Sequence, residues 1–365
     1  SDTRYGSRNV FAQKVDSTGS LLWGTEGAAV TNLPGRQEDP VAITDGNGGA
    51  FIAWVDYRFD EEGDIFIQHI NNQGNVMMDD NGEALARIDG RHLTINMCTD
   101  SLGGVFVTWQ DKRNFLDDDI YGTHVSSSYE IIAPSSGVSI IQMNGNQGAK
   151  SLEYAGNNEA TIIWSDTRSG SGNDIYCQKI NMNMEKIFAE EGLEVSATSE
   201  LETTPRTTYM NNDTSFIIWQ SGTENTDIYF NFLTSEGLVF TEPVQLCTYN
   251  SSKSSPRVKR NQLGQVFIQW TDYRNNLTEG NHFYQQHVPD IFIHSDYEPS
   301  LIEGVIERQK KALREEKPNS DVFVLLDDCM YDKKMIRDKN IRGMFMNGRH
   351  WRTFFLLTTQ YCMDL

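Results

Sequence analysis

AFIAWVDYR at Ala50–Arg58 is a short apolar run that ends in tryptophan and continues into an acid-x-arginine turn, and it recurs along the chain. The copies read VFVTWQDKR at Val105–Arg113, TIIWSDTR at Thr161–Arg168, FIIWQSGT at Phe216–Thr223 and VFIQWTDYR at Val266–Arg274. Their tryptophans are spaced by 55, 55, 55 and 51 residues, at Trp54, Trp109, Trp164, Trp219 and Trp270. Self-similarity at a fixed period is the signature of a repeat architecture, so the fold depends on what one repeat forms.

Each period carries the same pieces in the same order around its tryptophan. A polar loop follows the arginine, and the next strand opens on Asp-Ile-aromatic, as in Asp64-Ile65-Phe66. A hairpin then leads to the following tryptophan, as in Pro40–Thr44, the turn Asp45–Gly49 and Ala50–Trp54. Alternating apolar residues with Asp-Gly and Asn-Gly turns are strand and hairpin signals. The pattern predicts an all-β fold of four-stranded units, which when repeated radially form a β-propeller of about five to six blades.

The first residues of the chain fall in phase with the repeat. Ser1-Asp2-Thr3-Arg4 copies Ser165-Asp166-Thr167-Arg168. Asn9-Val10-Phe11 and Asn281-His282-Phe283 are degenerate copies of the Asp-Ile-aromatic step. We therefore expect the first segment to complete a blade with a strand from the other end of the repeat region, near Val266–Gln286.

The residues that recur at each turn are interpreted as structural. A large aromatic side chain suits a buried inner strand, where it fills the wedge between neighbouring blades. The aspartate and the arginine two positions apart are expected to pair across the turn. These pairs are Asp56 with Arg58, Asp111 with Arg113, Asp166 with Arg168, and Asp272 with Arg274. A ligand or a Ca²⁺ ion held at one blade stays open as the alternative, and no other cofactor is expected for the propeller.

The recurring string W-x-D-x-R, polar loop, D-I-Y-x-Q, G-x-x-L-W and D-G-x-G-G resembles secreted bacterial repeat proteins related to the sialidase-type Asp-box propellers. The resemblance covers residues 1–288. It implies an extracellular or cell-surface module that binds a protein or glycan ligand without turning it over. The sequence departs from true sialidases because no arginine triad and no Tyr–Glu pair can be assigned. A sialidase-like glycan hydrolase is kept as an alternative.

The acidic charge of the chain is concentrated in the repeats. The net charge is −20; residues 296–365 contain 12 basic and 12 acidic side chains, and the first 295 residues contain 19 basic and 39 acidic ones. Such a field repels nucleic acid and anionic membranes, so no DNA binding is expected from this part. No run of about 18 apolar residues occurs, which predicts no membrane span. The five cysteines show no CxxC spacing, which argues against a disulfide framework and a zinc site.

The repeat phrase stops near Val288, and the remaining residues follow another pattern. The sequence predicts propeller repeats at 1–288, a junction at 289–298 and a separate segment at 299–365. The segment does not continue the tryptophan period. It contains 12 basic and 10 acidic side chains, in contrast to the acidic excess of the repeats.

Helices and strands alternate in the pattern of the last segment. Pro299–Glu316 has the apolar spacing of an amphipathic helix. Val322–Leu326 and Phe354–Leu357 are continuous apolar runs of the kind found in buried parallel strands. A second helix is predicted at Met335–Met346 between them. Helix, strand, helix, strand is an α/β pattern, so a small α/β fragment is expected after the propeller.

Leu-Asp-Asp-Cys after an apolar strand, Tyr-Asp-Lys-Lys, Asn-Gly-Arg-His and Thr-Gln-Tyr-Cys-Met-Asp-Leu follow one another within residues 295–365. In this order they resemble the Walker B region of the genome-packaging ATPases of large DNA viruses, P-loop motors of the FtsK/HerA group. The resemblance implies Mg-ATP as cofactor, with Asp327 holding Mg²⁺ through water and Asp328 polarising the attacking water. It places Gln360 at the γ-phosphate as a sensor and Arg349 at an anion. It implies the virus factory or the cytoplasm as location, unlike the repeats.

The phosphate-binding signature of such motors, G-x-x-x-x-G-K-[ST], occurs nowhere in the chain. Without the glycine-rich loop the phosphates have no backbone cradle, so we expect no ATP turnover from this chain alone. The leading interpretation is a non-enzymatic propeller that carries an incomplete P-loop-ATPase-like segment. A fragment of a viral DNA-packaging ATPase is the alternative. Whether the two parts are a natural fusion or a chimeric reading frame stays open.

Overall fold

The computed structural model describes residues 7–274 except 171, 212, 224, 262 and 263, together with 299–315, 322–326, 339–341 and 353–357. The chain divides into two compact units, Ser1–Arg274 and Asn275–Leu365. The predicted junction at 289–298 and the sequence copies at 1–4 and 281–283 lie outside the described residues. No helix within the described ranges is both long enough and apolar enough to cross a membrane.

The first unit begins with a pair of strands followed by two four-stranded antiparallel sheets. The first pair consists of β1 (Phe11–Ala12) and β2 (Ala28–Ala29). Sheet 1 consists of β3 (Gln37–Thr44), β4 (Ala50–Asp56), β5 (Asp64–Ile70) and β6 (Glu83–Ala86). Sheet 2 consists of β7 (His92–Thr99), β8 (Val105–Asp111), β9 (Asp119–Val125) and β10 (Val138–Ile141).

Two more sheets and a last pair of strands follow in the same antiparallel arrangement. Sheet 3 consists of β11 (Gln147–Gly156), β12 (Glu159–Asp166), β13 (Asp174–Asn181) and β14 (Leu193–Ser196). Sheet 4 consists of β15 (Glu202–Asn211), β16 (Thr214–Ser221) and β17 (Asp227–Thr234), with β18 (Gly237–Leu238) and β19 (Val244–Gln245) both paired to β17. The last pair consists of β20 (Lys253–Arg260) and β21 (Val266–Asp272). The predicted all-β fold of four-stranded antiparallel units is confirmed for this unit.

Each tryptophan lies on the second strand of its sheet, opposite an aromatic residue of the third strand. The pairs are Trp54 with Phe66, Trp109 with Tyr121, Trp164 with Tyr176 and Trp219 with Tyr229. In sheets 1, 3 and 4 the paired rings stack with centroids 6.1, 6.3 and 6.4 Å apart. Directly opposed side chains on one face of a sheet are in contact, so the Asp-Ile-aromatic step positions the tryptophan.

Each tryptophan also packs against the sheet that precedes it in the chain. Trp54 shares a core with Val10, which immediately precedes β1, and Trp109 shares one with Phe51 of sheet 1. The remaining cores contain Trp164 with Phe106, Trp219 with Ile163, and Trp270 with Phe216. The first four repeat tryptophans, from Trp54 to Trp219, are fully buried. Burying roughly 150–250 Å² per tryptophan contributes on the order of 4–6 kcal/mol at about 25 cal/mol/Å². The sheets therefore stack face to face in chain order.

The first strands of consecutive sheets lie beside one another, in the order β3, β7, β11, β15 and β20. Most of them carry a bulge near their start, where one residue in the left-handed region interrupts the pairing. These residues are Asp39, Thr94, Thr204 and Ser255, with φ of 49°, 52°, 51° and 54°. The sheets stack face to face, and their first strands adjoin one another. The sheets therefore fan outward from their first strands.

The last pair of strands is less covered than the sheets before it. Phe267 is 62% exposed, whereas Phe51 at the equivalent place in sheet 1 is 1% exposed. Trp270 is only partly buried, although it faces sheet 4. The difference arises because Phe267 points to the far side of the last pair, where no described sheet packs on it.

The second unit contains one helix and a parallel strand pair in its described residues. Helix α1 spans Pro299–Arg314, and Ile302 and Ile306 are buried on one of its faces. Strands β22 (Val322–Leu326) and β23 (Thr353–Leu357) pair in parallel, with Leu326 opposite Leu357. Of the second predicted helix, Met335–Met346, only residues 339–341 are described, and they are helical.

Three glycines let the tryptophan rings reach their buried positions. Gly82, Gly137 and Gly192 have φ of 84°, 63° and 79°. A Cβ atom added to Gly82 would lie 2.4 Å from Cη2 of Trp54 and 2.8 Å from the carbonyl oxygen of Ile67. The left-handed conformation and the close ring both exclude a side chain at these positions.

We expect Gly82→Ala to destabilise the first unit by about 2–5 kcal/mol, because a left-handed alanine costs roughly 1–2 kcal/mol and overpacking roughly 1–3 kcal/mol more. Gly46→Ala is the matched control, since Gly46 has a φ of 78° but no atom within 4 Å of an added Cβ. Urea unfolding followed by tryptophan fluorescence measures both variants. Equal losses of stability in the two variants would contradict the packing role of Gly82.

Candidate functional site

The repeated acid-x-arginine turn forms a closed cluster around each tryptophan, seen most completely in sheet 2. Asp111 accepts hydrogen bonds from Nε1 of Trp109 at 2.9 Å and from the backbone N–H of Arg113 at 3.0 Å. The guanidinium of Arg113 donates to both oxygens of Asp111, at 2.8 and 2.6 Å, and to the carbonyl of Ser136 at 2.8 Å. It also lies 3.6 Å from the ring centroid of Tyr121. One carboxylate thus joins the buried ring to the turn.

The carboxylate of Asp111 is held in its charged form. Burial acts to raise its pKa, but the hydrogen bonds from Arg113 and the charge of His92 outweigh burial and lower the pKa below the usual range. Nε2 of His92 lies 3.4 Å from the carboxylate, and Nδ1 of His92 is 2.9 Å from the carbonyl oxygen of Gly63. The side chain of Asp111 is 0% exposed, and both of its oxygens accept hydrogen bonds from Trp109 and Arg113.

The same cluster occurs in sheets 1 and 3 and in the last pair of strands. The indole N–H donates to the aspartate at 2.9, 2.8 and 3.4 Å, from Trp54 to Asp56, Trp164 to Asp166 and Trp270 to Asp272. The guanidinium pairs with that aspartate through Arg58, Arg168 and Arg274. Each guanidinium lies over an aromatic ring, at 4.4, 4.0 and 4.4 Å from Phe66, Tyr176 and Tyr249. The structure places all the predicted repeat residues of these sheets in architectural contacts.

Sheet 4 builds the cluster from a different strand. Its turn carries Ser221 where the other sheets have aspartate, and Trp219 instead donates its indole N–H to Glu202 at 3.3 Å. Glu202 lies opposite Ser221 in the strand pair and accepts a hydrogen bond from Ser196 at 2.6 Å. Burial raises the pKa of Glu202. Glu202 was not predicted from the sequence, although it stands 19 residues before Ser221, as His92 stands 19 residues before Asp111.

A second row of buried acids lies opposite the first. Asp56 pairs in register with Asp64, and Asp111 pairs with Asp119. Asp64 and Asp119 are 1% and 0% exposed. Burial, followed by the charges of neighbouring acids in the same loops, raises the pKa of each to about 7. Two acids held apart in pKa suit acid–base chemistry, but these groups are enclosed, so they do not form an open catalytic pair.

An open groove lies between sheets 2 and 3. Its volume is about 990 Å³, and its sheet 2 side is lined by Val138, Ser139, Gln142 and Met143. Its sheet 3 side is lined by Met184, Glu185, Lys186, Glu190 and Glu191. A smaller groove of about 320 Å³ shares Gln142 and Met143 and extends to Asn114, Leu116 and Asp117. The two form one continuous concave surface, which we call the sheet 2–3 groove.

The loop after Arg113 places an apolar tip beside the sheet 2–3 groove. Phe115 and Leu116 are 60% and 83% exposed, and Met143 on the groove wall is 39% exposed. Asn114 accepts a hydrogen bond from the backbone N–H of Leu116 at 2.9 Å and donates one to Asp117 at 2.5 Å. This tip was not predicted from the sequence, although two adjacent apolar residues, Phe115 and Leu116, distinguish its loop from those of the other repeats.

The residues assigned by resemblance to nucleotide chemistry lie outside the described residues. These are Asp327, Asp328, Arg349 and Gln360. The described strand β22 ends at Leu326, just before Asp327 in the sequence. Within the ranges that the structure describes, no group of three or more His, Cys, Asp or Glu side chains is arranged to hold a metal ion.

Solved structures similar to this chain include several from sugar-processing proteins. An endo-arabinase from Bacteroides thetaiotaomicron VPI-5482 is 12% identical with a TM-score of 0.38, covering 64% of this chain and 88% of its own. An α-L-arabinanase from Penicillium chrysogenum is 14% identical with a TM-score of 0.40, covering 73% and 85%. A Dyadobacter fermentans DSM 18053 protein of unknown function is 8% identical with a TM-score of 0.43, covering 66% and 76%. TM-scores below 0.5 do not establish a shared activity.

Curated relatives of the chain come from viruses, and no family model matches it. Uncharacterized protein 015R of Frog virus 3 (isolate Goorha) is 44% identical over 88 residues, which are 24% of this chain and 27% of that protein. Uncharacterized protein 075L of Invertebrate iridescent virus 6 is 38% identical over 87 residues, covering 24% and 34%. Uncharacterized protein L437 of Acanthamoeba polyphaga mimivirus is 29% identical over 94 residues, covering 23% and 33%. The chain spans only about a third or less of the length of these relatives.

We expect the stability of the protein relative to its Asp119→Asn variant to fall as pH rises from about 4 to about 7. The pKa of Asp119 is about 7 in the folded chain and 3.8 when unperturbed, so in this window the unfolded chain releases the proton first. The asparagine of the variant cannot ionise. The stability of the variant relative to the parent should therefore rise by on the order of a few kcal/mol by pH 7 and then level off. Urea unfolding at pH 4, 5.5, 7 and 8 measures the difference.

Asp118→Asn is the control for that experiment. It removes the same formal charge from the neighbouring residue, which is partly exposed rather than buried. A parallel pH dependence in both variants would mean that net charge, not the burial of Asp119, produces the effect.

Proposed function

We propose that the first unit is a ligand-binding β-propeller of the extracellular type, and that its ligand lies in the sheet 2–3 groove. The observation that carries the proposal is the meeting of this open groove with the exposed tip of Phe115 and Leu116. Large exposed apolar side chains beside a concave surface are typical of interaction sites. The motif carboxylates offer a poorer site, because they are buried and hydrogen-bonded to indole and guanidinium groups. A binding module therefore fits the unit better than a glycan hydrolase.

We also propose that the sheets close into a ring of five. The first and last pairs have two strands each where sheets 1 to 3 have four. The last pair corresponds to the first half of a sheet, because β21 carries Trp270 and Asp272 as second strands do. The first pair corresponds to the second half, because β1 follows Asn9 as a third strand follows its aspartate. Together the two halves would make one complete sheet, as a propeller requires.

The register of this fifth sheet follows from sheet 1. There Trp54 lies opposite Phe66 and Ala53 opposite Ile67. The equivalent register in the fifth sheet places Gln269 opposite Ala12. Closure would also bring a partner to β21, which in the described residues pairs only with β20.

For the second unit we propose a Walker B segment of a packaging-type ATPase, held in an incomplete form. The motif order within residues 295–365 supports it. The viral alignments of 83–94 residues also have nearly the length of the unit Asn275–Leu365. A parallel strand pair that ends just before Asp327 suits a Walker B strand, because such sites lie at the carboxyl ends of parallel strands.

We expect the double variant Ala12→Cys with Gln269→Cys to form an intrachain disulfide on mild oxidation. Side chains directly opposite across antiparallel strands have Cβ atoms about 4.5–5.5 Å apart, close to disulfide geometry. Faster migration in non-reducing gels and peptide mapping detect the bond.

Two further pairs make the closure experiment decisive. Gln269→Cys with Thr18→Cys is the control, because Thr18 lies in an exposed turn beyond β1 and should not crosslink. Gln269→Cys with Tyr284→Cys tests the competing sequence copy at Asn281-His282-Phe283. Crosslinking of that pair instead of Ala12 would mean that the start of the chain does not close the ring.

We expect Leu116→Ser to weaken, by about tenfold or more, the binding of the fluorescently labelled chain to the probes that the parent retains on a combined glycan and peptide array. The reason is that Leu116 is the most exposed apolar side chain of the groove. Leu102→Ser is the control, since Leu102 is 58% exposed on the turn between β7 and β8 and does not line the groove. Binding that is as tight in Leu116→Ser as in the parent, or turnover of a fluorogenic sialoside, would contradict the proposal.

We expect the purified chain to release no phosphate from ATP, because phosphoryl transfer needs a lysine and a backbone cradle at the β- and γ-phosphates as well as Mg²⁺. Asp327 and Asp328 would supply only the metal side. A coupled assay with and without Mg²⁺ measures turnover, with Asp327→Asn as the control. Mg²⁺-dependent turnover that disappears in Asp327→Asn would show that a phosphate loop is present and was not recognised.

A further inference from the structure

We propose that the partner of the sheet 2–3 groove is an extended basic peptide segment with a leucine, methionine or aromatic anchor. This inference rests on the proposed binding function of the first unit and names the chemistry of its ligand.

The apolar tip supplies the anchoring contact. Leu116 lies on the smaller groove, and Met143 lies on both grooves, so the two side chains flank one continuous surface. Phe115 has a φ of 61°, a conformation that a bulky residue rarely adopts. With the backbone N–H of Leu116 bonded to Asn114, this turn holds both side chains outward. Methionine adapts its shape to different apolar partners, which suits an anchor of variable identity.

The charges around the groove select a cationic partner. Lys186 is the one basic residue that lines it in the described structure, and it is already paired with Glu190 at 2.5 Å. Glu191 lines the same wall, and its carboxylate has no ion-pair partner among the residues that the structure describes. Asp118, next to Asp117 of the smaller groove, has none in that part of the chain either. Complementary charge steers association and excludes acidic partners.

The strand edge favours a peptide over a basic sugar or a polyamine. Val138 and Ser139, which line the groove, belong to β10. This strand is the outermost of sheet 2 and in the described residues pairs only with β9. Its other edge presents backbone N–H and C=O groups at the spacing of an extended chain, which allows a peptide to add as a further strand. Strands β6 and β14 are also outermost in their sheets but do not line this groove.

The test is a selection of random 12-residue peptides displayed on phage against the full chain at low salt, followed by synthesis of the enriched peptides. We expect enriched sequences with a clear excess of Lys and Arg and at least one Leu, Met, Phe or Trp. Affinity should fall about tenfold in Leu116→Ser, as expected for one buried leucine. In the double variant Asp118→Asn with Glu191→Gln, affinity should fall and lose much of its salt dependence. Leu102→Ser should bind as the parent does.

Four outcomes would overturn the inference, and they separate it from the proposed binding function. Enriched peptides without excess positive charge would exclude the cationic partner. Enriched basic peptides that bind the two groove variants as tightly as the parent would place the contact elsewhere. If no peptide is enriched while an array glycan is retained and lost in Leu116→Ser, the groove binds a glycan and only the peptide inference fails. If neither probe binds through Leu116, both fail.

Discussion

The indole N–H of a fully buried tryptophan is the group on which the rest of each repeat depends. Packing Trp109 against the preceding sheet removes its ring from water, and an unsatisfied buried donor would cost about 1–3 kcal/mol. Asp111, two residues on, supplies the acceptor. A carboxylate so enclosed must itself be compensated, and Arg113 provides both charge and hydrogen bonds. The arginine is then held over Tyr121, so one donor accounts for the spacing of four recurring residues.

Sheet 4 shows that the acceptor matters rather than its position in the sequence. Ser221 replaces the aspartate there, and the carboxylate reappears across the strand pair as Glu202. The turn of sheet 4 has no arginine to compensate the burial of Glu202. The pKa of Glu202 is therefore raised, whereas the pKa of Asp111 is lowered. The equivalent position in the last pair holds Lys253, which is buried and donates to Asp227 at 2.7 Å. The residue at the start of the first strand therefore differs between sheets: it is His92 in sheet 2, Glu202 in sheet 4 and Lys253 in the last pair.

The strands and the repeat could be predicted from the sequence because both depend on local pattern. The 55-residue period, the Asp-Gly turns and the alternation of apolar residues predict four-stranded units, and the structure has them in sheets 1 to 3. The acid-x-arginine contact is equally local, as Asp56 and Arg58 are two residues apart. Glu202 could not be predicted because Trp219, whose indole N–H donates to it, lies on another strand 17 residues away. The groove could not be predicted because it forms between side chains of two different sheets, which no single stretch of sequence brings together.

The repeated polar side chains hydrogen-bond to one another inside the sheets. Ligand binding therefore depends on positions where the sequence departs from the repeat. The loops between second and third strands illustrate this, because they lie at equivalent places in their sheets but expose different side chains. In sheet 1 the loop also carries an aromatic residue, Phe59, which is 49% exposed, although the guanidinium of Arg87 lies 3.6 Å from its ring centroid and Phe66 stacks on it at 6.0 Å. In sheet 2, Phe115 and Leu116 are 60% and 83% exposed, and Met143 extends the apolar surface into a groove. The greater exposure of the sheet 2 loop does not follow from the repeat, since the tryptophan, aspartate and arginine contacts of sheet 2 form without Phe115 and Leu116.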